Sequence, residues 1–431
     1  MRYLKTRTPS RAKRGKIKLT FFLGGAALLA LAGFAIAEVV IPRALTLSYG
    51  EEWIATTTPA SPHTEERPTA THSAAPSAVK GIYMSQCVAG TPSFRDSLAS
   101  LIKDTELNSV IIDIKDYTGK IAFATDNPAL KNSVSDACGA RDMREFIERL
   151  HDEDIYVIGR ITVFQDPFYT KNHPEQSVQS KSRPGEPWKD YKGLSFVSVM
   201  SQPFWKYIVA LSKESYALGF DELNYDYVRW PSDGPMSDIV YPSGHRAEAL
   251  ERFFEYLASE VKPTGAVLSV DLFGMTTTNF DDLNIGQVLE RALPYFDYVA
   301  PMVYPSHYPK SFLGLGNPNS DPYKVVNYSM SEAVKRASAT TTTVDALTHT
   351  LLSTSTKPFL YSKTAYSPLK LRPWLQDFDY GKDYLPADIE AQIKATYDAG
   401  LTSWMFWDPG NKYANLKTYL LSLAEASHPE N

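Results

Sequence analysis

Two aspartates, each closing an apolar run, carry the chemistry this sequence most readily supports. They are Asp226, in Glu222-Leu223-Asn224-Tyr225-Asp226, and Asp271, in Leu268-Ser269-Val270-Asp271. If the two runs are neighbouring strands, about 4.8 Å apart, the carboxyls can face one another. A facing pair can cleave a glycosidic bond: one carboxyl protonates the leaving oxygen while the other attacks carbon or activates water. The first arrangement needs a separation of about 5–5.5 Å and the second about 6.5–9.5 Å. Burial and like charge would hold one of the pair protonated. The competing explanation is structural, with both carboxylates paired to Arg160 or Arg229.

Further polar and aromatic residues recur where apolar runs end: Asp113 and Lys115, Arg160, Arg229, Tyr304 and His307, Trp374, Gln376 and Asp377, and Trp407. Solvent at a strand end explains any one of them. So many together imply a shared basin in which they bind a substrate by hydrogen bonds and stacking. Alternation also puts Glu222, Asn224 and Asp226 on one face, a costly grouping in a dry core unless that face lines a barrel mouth. Other chemistries lack their residues. The eight histidines form no HExxH or paired metal spacing, no G-x-S-x-G elbow occurs, and no glycine-rich nucleotide loop appears. Neither a metal nor a cofactor is expected.

The elements that must position these residues alternate between two periods. Candidate strands are Gly81–Ser85, Ser109–Lys115, Ile155–Phe164, Glu222–Arg229, Ala266–Phe273, Tyr298–Tyr304, Lys370–Gln376 and Thr402–Trp407. Between them, Met143, Phe146, Ile147 and Leu150 share one helical face, as do Leu250, Phe253, Phe254 and Leu257. Phe204–Leu218 reads as a helix stopped by Gly219. Eight such units in residues 80–431 predict an α/β fold, a (β/α)8 TIM barrel. A doubly wound sheet would want a phosphate turn after its first strand, which Ser85–Gly90 does not supply. Pro301 and Pro373 fall inside predicted strands and are expected to form bulges. The long connection from Gln165 to Gln202 is expected to cover the catalytic face.

The N-terminal part reads differently. Residues 1–18 hold eight basic side chains and no acid, so the rest of the chain carries −13 of a net −5. A body that acidic repels phosphate backbones, and nucleic acid is not an expected partner. Leu19–Ala37 is nineteen residues without a charge, about 28 Å as a helix, enough to cross a bilayer. The basic flank predicts a cytoplasmic tail over 1–18, a transmembrane anchor over 19–41 and an exported remainder. A signal peptide cleaved after Ala35-Ile36-Ala37 is the alternative. Residues 42–79, rich in Pro, Thr and Ser, read as a tether that cannot bury a core. Localisation is therefore expected at the cell membrane, single-pass, with residues 80–431 outside the cytoplasm.

Seven stretches occur in order across that domain: Val110–Gly119, Leu150–Pro167, Leu218–Pro231, Leu268–Gly274, Ala300–Tyr308, Leu371–Phe378 and Ser403–Tyr413. With them the chain resembles a bacterial family of glycosyl hydrolase domains, (β/α)8 barrels within the wider glycosidase superfamily. The resemblance implies a polysaccharide or oligosaccharide substrate, with Asp226 as nucleophile and Asp271 as acid/base. A barrel that holds a glycan without cutting it is the alternative. One departure stands out: the family often has Trp-Val-Asp-Pro where this chain has Phe196-Val197-Ser198-Val199. If the missing acid serves catalysis, activity here is in question. The same alignment puts Cys87 and Cys138 on neighbouring loops, which implies a disulfide.

Overall fold

The computed structural model describes residues 69–427. The basic tail, the expected anchor and most of the tether lie outside the described residues. Among the described residues no helix is long and apolar enough to cross a membrane.

Eight parallel strands close a barrel in chain order: β1 (Lys80–Met84), β2 (Ser109–Lys115), β3 (Tyr156–Thr162), β4 (Glu222–Asp226), β5 (Val267–Phe273), β6 (Tyr298–Met302), β7 (Trp374–Gln376) and β8 (Trp404–Trp407). Helices follow each strand: α1 (Pro92–Lys103), α2 (Met143–Asp152), α3 (Gln202–Leu218), α4 (Arg246–Val261), α5 (Leu289–Ala292), α6 (Pro322–Ser338), α7 (Pro386–Asp398) and α8 (Ala414–Ser427). The expected (β/α)8 barrel is present, although α5 is little more than one turn.

Alternation along the strands separates two cores. Val110, Ile112 and Ile114 of β2 face outward and pack with the inner faces of the helices, including Phe146 and Ile147 of α2 and Phe253 and Phe254 of α4. Ile111 faces inward and joins Tyr83, Tyr156, Ile158, Trp374 and Met405 inside the barrel. All four apolar residues of the α2 stripe and all four of α4 are buried, and truncating one of those phenylalanines would cost about 3–5 kcal/mol. Gly219, at φ 127°, ends α3 in a backbone region that a side chain would strain.

Three details of the barrel differ from the expectation. First, the prolines thin the ladder without shifting it: Val299 pairs with Leu371 and Met302 with Trp374 in one register. Proline has no N–H to donate, so β7 shrinks to three residues rather than bulging. Second, a register shift falls in β2, between Asp113 and Lys115, where Asp113 pairs with Arg160 and Lys115 with Ile161. Third, Glu222 lies deep inside the barrel, not at its mouth, because β4 enters at that residue. There it accepts from Tyr156 Oη at 3.1 Å and pairs with Arg372 at 2.7 Å.

Cys87 and Cys138 are bonded, with Cα atoms 4.4 Å apart, and join the loops after β1 and β2 across a separation of 51 residues. By the chain-entropy account, closing a loop of that size contributes up to about 4 kcal/mol. Urea denaturation of the oxidised and the reduced, alkylated protein should differ by about 2–4 kcal/mol. Equal midpoints would show the bridge to be idle.

Candidate active site

The strand register sets the site. Asp113 on β2, Arg160 on β3, Asn224 on β4 and Ser269 on β5 are successive partners around the wall. The β4–β5 pairing runs to Tyr225 and Val270, one residue before Asp226 and Asp271. These two carboxyls therefore rise side by side at the mouth. Arg160 is buried beneath them. Its Nη1 lies 2.5 Å from Asp113 Oδ1, its Nη2 contacts Asp226 Oδ2, and its Nε is 3.9 Å from Asp271 Oδ2. The Trp407 ring covers the guanidinium at 4.9 Å and stacks on Tyr83 at 3.8 Å. Tyr83 in turn donates to Asp113 Oδ2 at 2.5 Å.

The two mouth carboxyls sit in different surroundings. Asp226 Oδ1 accepts the N–H of Tyr227 at 2.5 Å. Tyr227 is a non-glycine residue at φ 51°, a conformation that costs about 1–2 kcal/mol and turns the chain sharply out of β4. Asp271 is 1% exposed. Its Oδ1 accepts from Asn224 Nδ2 at 2.9 Å and Trp374 Nε1 at 2.8 Å. Burial first, and then the charge of Asp226, raise the Asp271 carboxyl well above the usual carboxylate range, against the opposing pull of Arg160. Both hydrogen bonds fall on Oδ1, so a proton on Oδ2 leaves them intact. Burial also pushes Asp113 up to about 6, with Arg160 and Tyr83 opposing.

Above the carboxyls is a cavity of about 670 Å³, within the range of a small-ligand site. The Gln165–Gln202 connection does cover this face. Its Gln179–Ser180 strand pairs with Ile239–Val240 of the β4–α4 loop. Val178, Trp188, Phe196 and Ile239 form a small core beneath. Trp188 Nε1 donates to Pro235 O at 3.1 Å. Gly234, at φ 120°, is required here, since a Cβ would stand 2.7 Å from the Trp188 ring. The two loops make one wall and bring Gln165, Asp190, Lys192 and Leu194, with Tyr227, Arg229 and Asp233, to the cavity.

Of the residues expected at a shared basin, Asp226, Asp271, Arg160, Arg229, Tyr304, His307 and Trp407 line the cavity. Burial lowers the pKa of His307. Asp113, Asn224 and Trp374 lie buried in the barrel interior, in contact with those residues. Three expectations fail. The register shift in β2 pairs Lys115 with outward-facing Ile161, so its ammonium leaves the basin for a buried ion pair with Asp166 at 2.9 Å. Gln376 is spent on Ser306, whose Oγ donates to it at 2.9 Å. Asp377 is the outward partner in the alternation of β7 and accepts Leu416 N–H in the first turn of α8 at 3.2 Å. Ser198, where the family's acid would stand, is half-buried and its Oγ accepts Met200 N–H in a turn. It is not among the residues that line the cavity.

The sequence reading missed Tyr83, Gln165, Tyr227, Asp190, Lys192 and Asp233. Tyr83 carried a usable signal, an inward position on β1 opposite the polar ends of its neighbours. For Gln165, Asp190 and Lys192 the signal was only that their long connection would cover this face, with nothing to mark the individual residues. Among the described residues, no group of three or more His, Cys, Asp or Glu has an arrangement that could hold a metal ion.

Comparison with known proteins agrees with the fold. A family model described as "Putative glycosyl hydrolase domain" matches residues 81–413. The glycoside hydrolase domain of PgaB (BpsB) from Bordetella bronchiseptica superposes with a TM-score of 0.50 at 14% identity, covering 80% of this chain and 98% of that one. An alpha-L-fucosidase isoenzyme 2 from Paenibacillus thiaminolyticus gives 0.53 at 10% identity, covering 81% of this chain and 49% of that one. A hypothetical protein from Ruminiclostridium thermocellum ATCC 27405 is 26% identical over 44% of this chain and 96% of its own, with a TM-score of 0.40. No curated protein matches the chain.

The placement of a proton on Asp271 is open to measurement. An ordinary aspartate, with a pKa of about 3.9, is almost wholly ionised at about pH 6. The infrared difference between the protein and its Asp271→Asn variant at that pH should contain a protonated carboxyl band that the variant has lost, over the bands of other raised groups, Asp113 among them, that both share. A carboxylate band instead would place the proton elsewhere.

Proposed function

Because this chain belongs to the family of glycosyl hydrolase domains, over residues 81–413, we propose that it hydrolyses O-glycosidic bonds of a polysaccharide or oligosaccharide outside the cytoplasm. The observation that carries this reading is the meeting of Asp226 and Asp271 over one cavity, bridged from below by Arg160. Asp271, protonated, gives its proton to the leaving oxygen as the C–O bond breaks. Asp226, held as an acceptor by Arg160 and Tyr227 N–H, attacks the anomeric carbon from the other side. Adjacent strands in a common register bring their residues to about 5 Å, which favours this direct attack over activation of an intervening water. Water then displaces Asp226, giving its proton to Asp271 and restoring both groups. Trp407, Tyr304 and His307 supply rings and donors to hold the sugar.

The basic first eighteen residues and the uncharged run after them support a membrane-anchored protein with its barrel outside, so a cell-envelope or environmental glycan is the substrate we propose. Full-length protein should then remain with membranes after an alkaline carbonate wash; recovery in the soluble fraction would refute the uncleaved anchor.

The catalytic reading predicts that the full chain releases reducing ends from at least one member of a polysaccharide panel. Asp226→Asn should lower that rate by about 10²–10⁴-fold while glycan binding persists. A protein that binds but never cleaves would be the non-catalytic barrel instead. The pH profile has a definite sign. The acid works while Asp271 is protonated, so the rate should fall as pH rises through its elevated pKa. With an aryl glycoside, whose leaving group needs no proton, Asp271→Asn should release the aryl group in a first burst without that alkaline limb and then turn over slowly, because water has lost the base that takes its proton.

A further inference from the structure

Five arginines among the described residues are buried: Arg95, Arg160, Arg229, Arg336 and Arg372. Four of them hold a carboxylate, namely Asp142, Asp113 with Asp226, Glu290 and Glu222 respectively. Arg229 holds none. It is 7% exposed, and no carboxylate of the described residues comes within 4.0 Å of it. Its one hydrogen bond runs from Nη1 to Trp230 O at 3.0 Å. The rings of Tyr227 at 4.8 Å, Phe273 at 4.9 Å and Phe196 at 5.7 Å surround the guanidinium. Aromatic faces stabilise a cation but accept no in-plane hydrogen bonds, so the remaining N–H donors of the fork are uncommitted.

Those donors border the cavity that holds Asp226 and Asp271. The acids that act on Arg229 from a distance include Asp226, Asp233 and Asp190. Two of these already have partners. Asp226 is engaged by Arg160, and Asp190 Oδ1 accepts Lys192 and Leu194 N–H at 2.8 Å each. A buried, unmatched cation is costly unless a partner arrives with the ligand. The planar fork suits an anion with two adjacent oxygens.

We propose that Arg229 recognises an anionic substituent on the sugar bound beside Asp226 and Asp271: a carboxylate, as on a uronic acid, or a sulfate or phosphate ester. The substrate class of the proposed hydrolase is then an acidic glycan. Only the identification of the ligand as a sugar rests on the hydrolase reading; the anion site rests on Arg229 itself.

The test uses the full chain carrying Asp226→Asn to prevent turnover. Calorimetry would compare a uronic-acid oligosaccharide, its carboxyl-reduced counterpart, and sulfated and phosphorylated forms of that neutral backbone. At least one acidic form should bind about 10–100-fold more tightly than the neutral one, the usual worth of a charge-assisted bidentate contact. Which form does so identifies the anion. Arg229→Gln should erase the preference and Arg229→Lys should keep part of it, the affinity for the acidic form falling toward that for the neutral one. If Arg229→Gln does not fold, the wild-type preference and its weakening by salt still decide the matter. Equal binding of acidic and neutral forms, or no binding of any, overturns the proposal. An acidic preference lost in Arg229→Gln, with no reducing ends released by the wild type, sustains the anion site and sinks the hydrolase. Cleavage of a neutral glycan unaffected by Arg229→Gln does the reverse.

Discussion

A single guanidinium, that of Arg160, lies among three carboxyls in a volume nearly closed to water. Two unit charges about 4 Å apart interact by about 4 kcal/mol at an effective dielectric of 20, and removing one partner of a buried pair costs about 3–5 kcal/mol. Interactions of that size dictate the protonation pattern. One positive charge cannot balance three negative ones where hydration is poor, so the group that loses most by ionising is pushed furthest toward its protonated form. Asp271 is that group, being fully buried beside Asp226 and only at 3.9 Å from Arg160. The raised Asp271 carboxyl, which the proposed cleavage uses as its acid, thus follows from charge count and burial, with its two hydrogen bonds opposing the shift.

The surrounding barrel reads as a support for that cation. Trp407 and Tyr83 close over it, and Tyr83 also fixes Asp113. Beneath it, Glu222 and Arg372 form a second ion pair inside the barrel, with the Arg372 guanidinium over the Tyr298 ring at 3.0 Å. A barrel interior is ordinarily filled with branched apolar side chains. Here polar groups bonded to one another occupy much of it, an arrangement that penalises any slip in register, since a shifted strand would strand a charge without its partner.

How much of this could be read from the sequence depended on which rule each residue obeyed. Apolar runs located all eight strands, and the helical stripes of α2 and α4 located their buried faces, because period is a property of many residues at once. Asp226 and Asp271 were legible because neighbouring parallel strands in one register repeat their pattern. Lys115 was not: one extra residue in β2 reverses which side it faces, and nothing in Ile112-Asp113-Ile114-Lys115 announces the shift. Tyr227 was missed for a related reason, since its left-handed backbone ends the alternation that would have pointed it away. Asp190 and Lys192 belong to a connection whose path is decided by Trp188 and the β4–α4 loop, a tertiary contact that local pattern cannot reveal.

The division between wall and floor bears on how such a site acquires a preference. The floor, with Arg160, Asp113 and Asp271, is tied into the strands and tolerates little change. The wall from Gln165–Gln202 and the β4–α4 loop has its own small core and its own strand pairing, yet hangs on β3 and β4, the strands that carry Arg160 and Asp226. Substitutions in it alter what the cavity presents to a ligand while leaving the charge balance beneath intact. Arg229 stands at the junction. It follows Asp226 by three residues and packs against Phe196 of the wall and Phe273 of the barrel rim. On the proposed reading, a substrate contact made there lies one short, strained turn from the carboxyl that attacks, so recognition and reactivity share the same few residues of backbone.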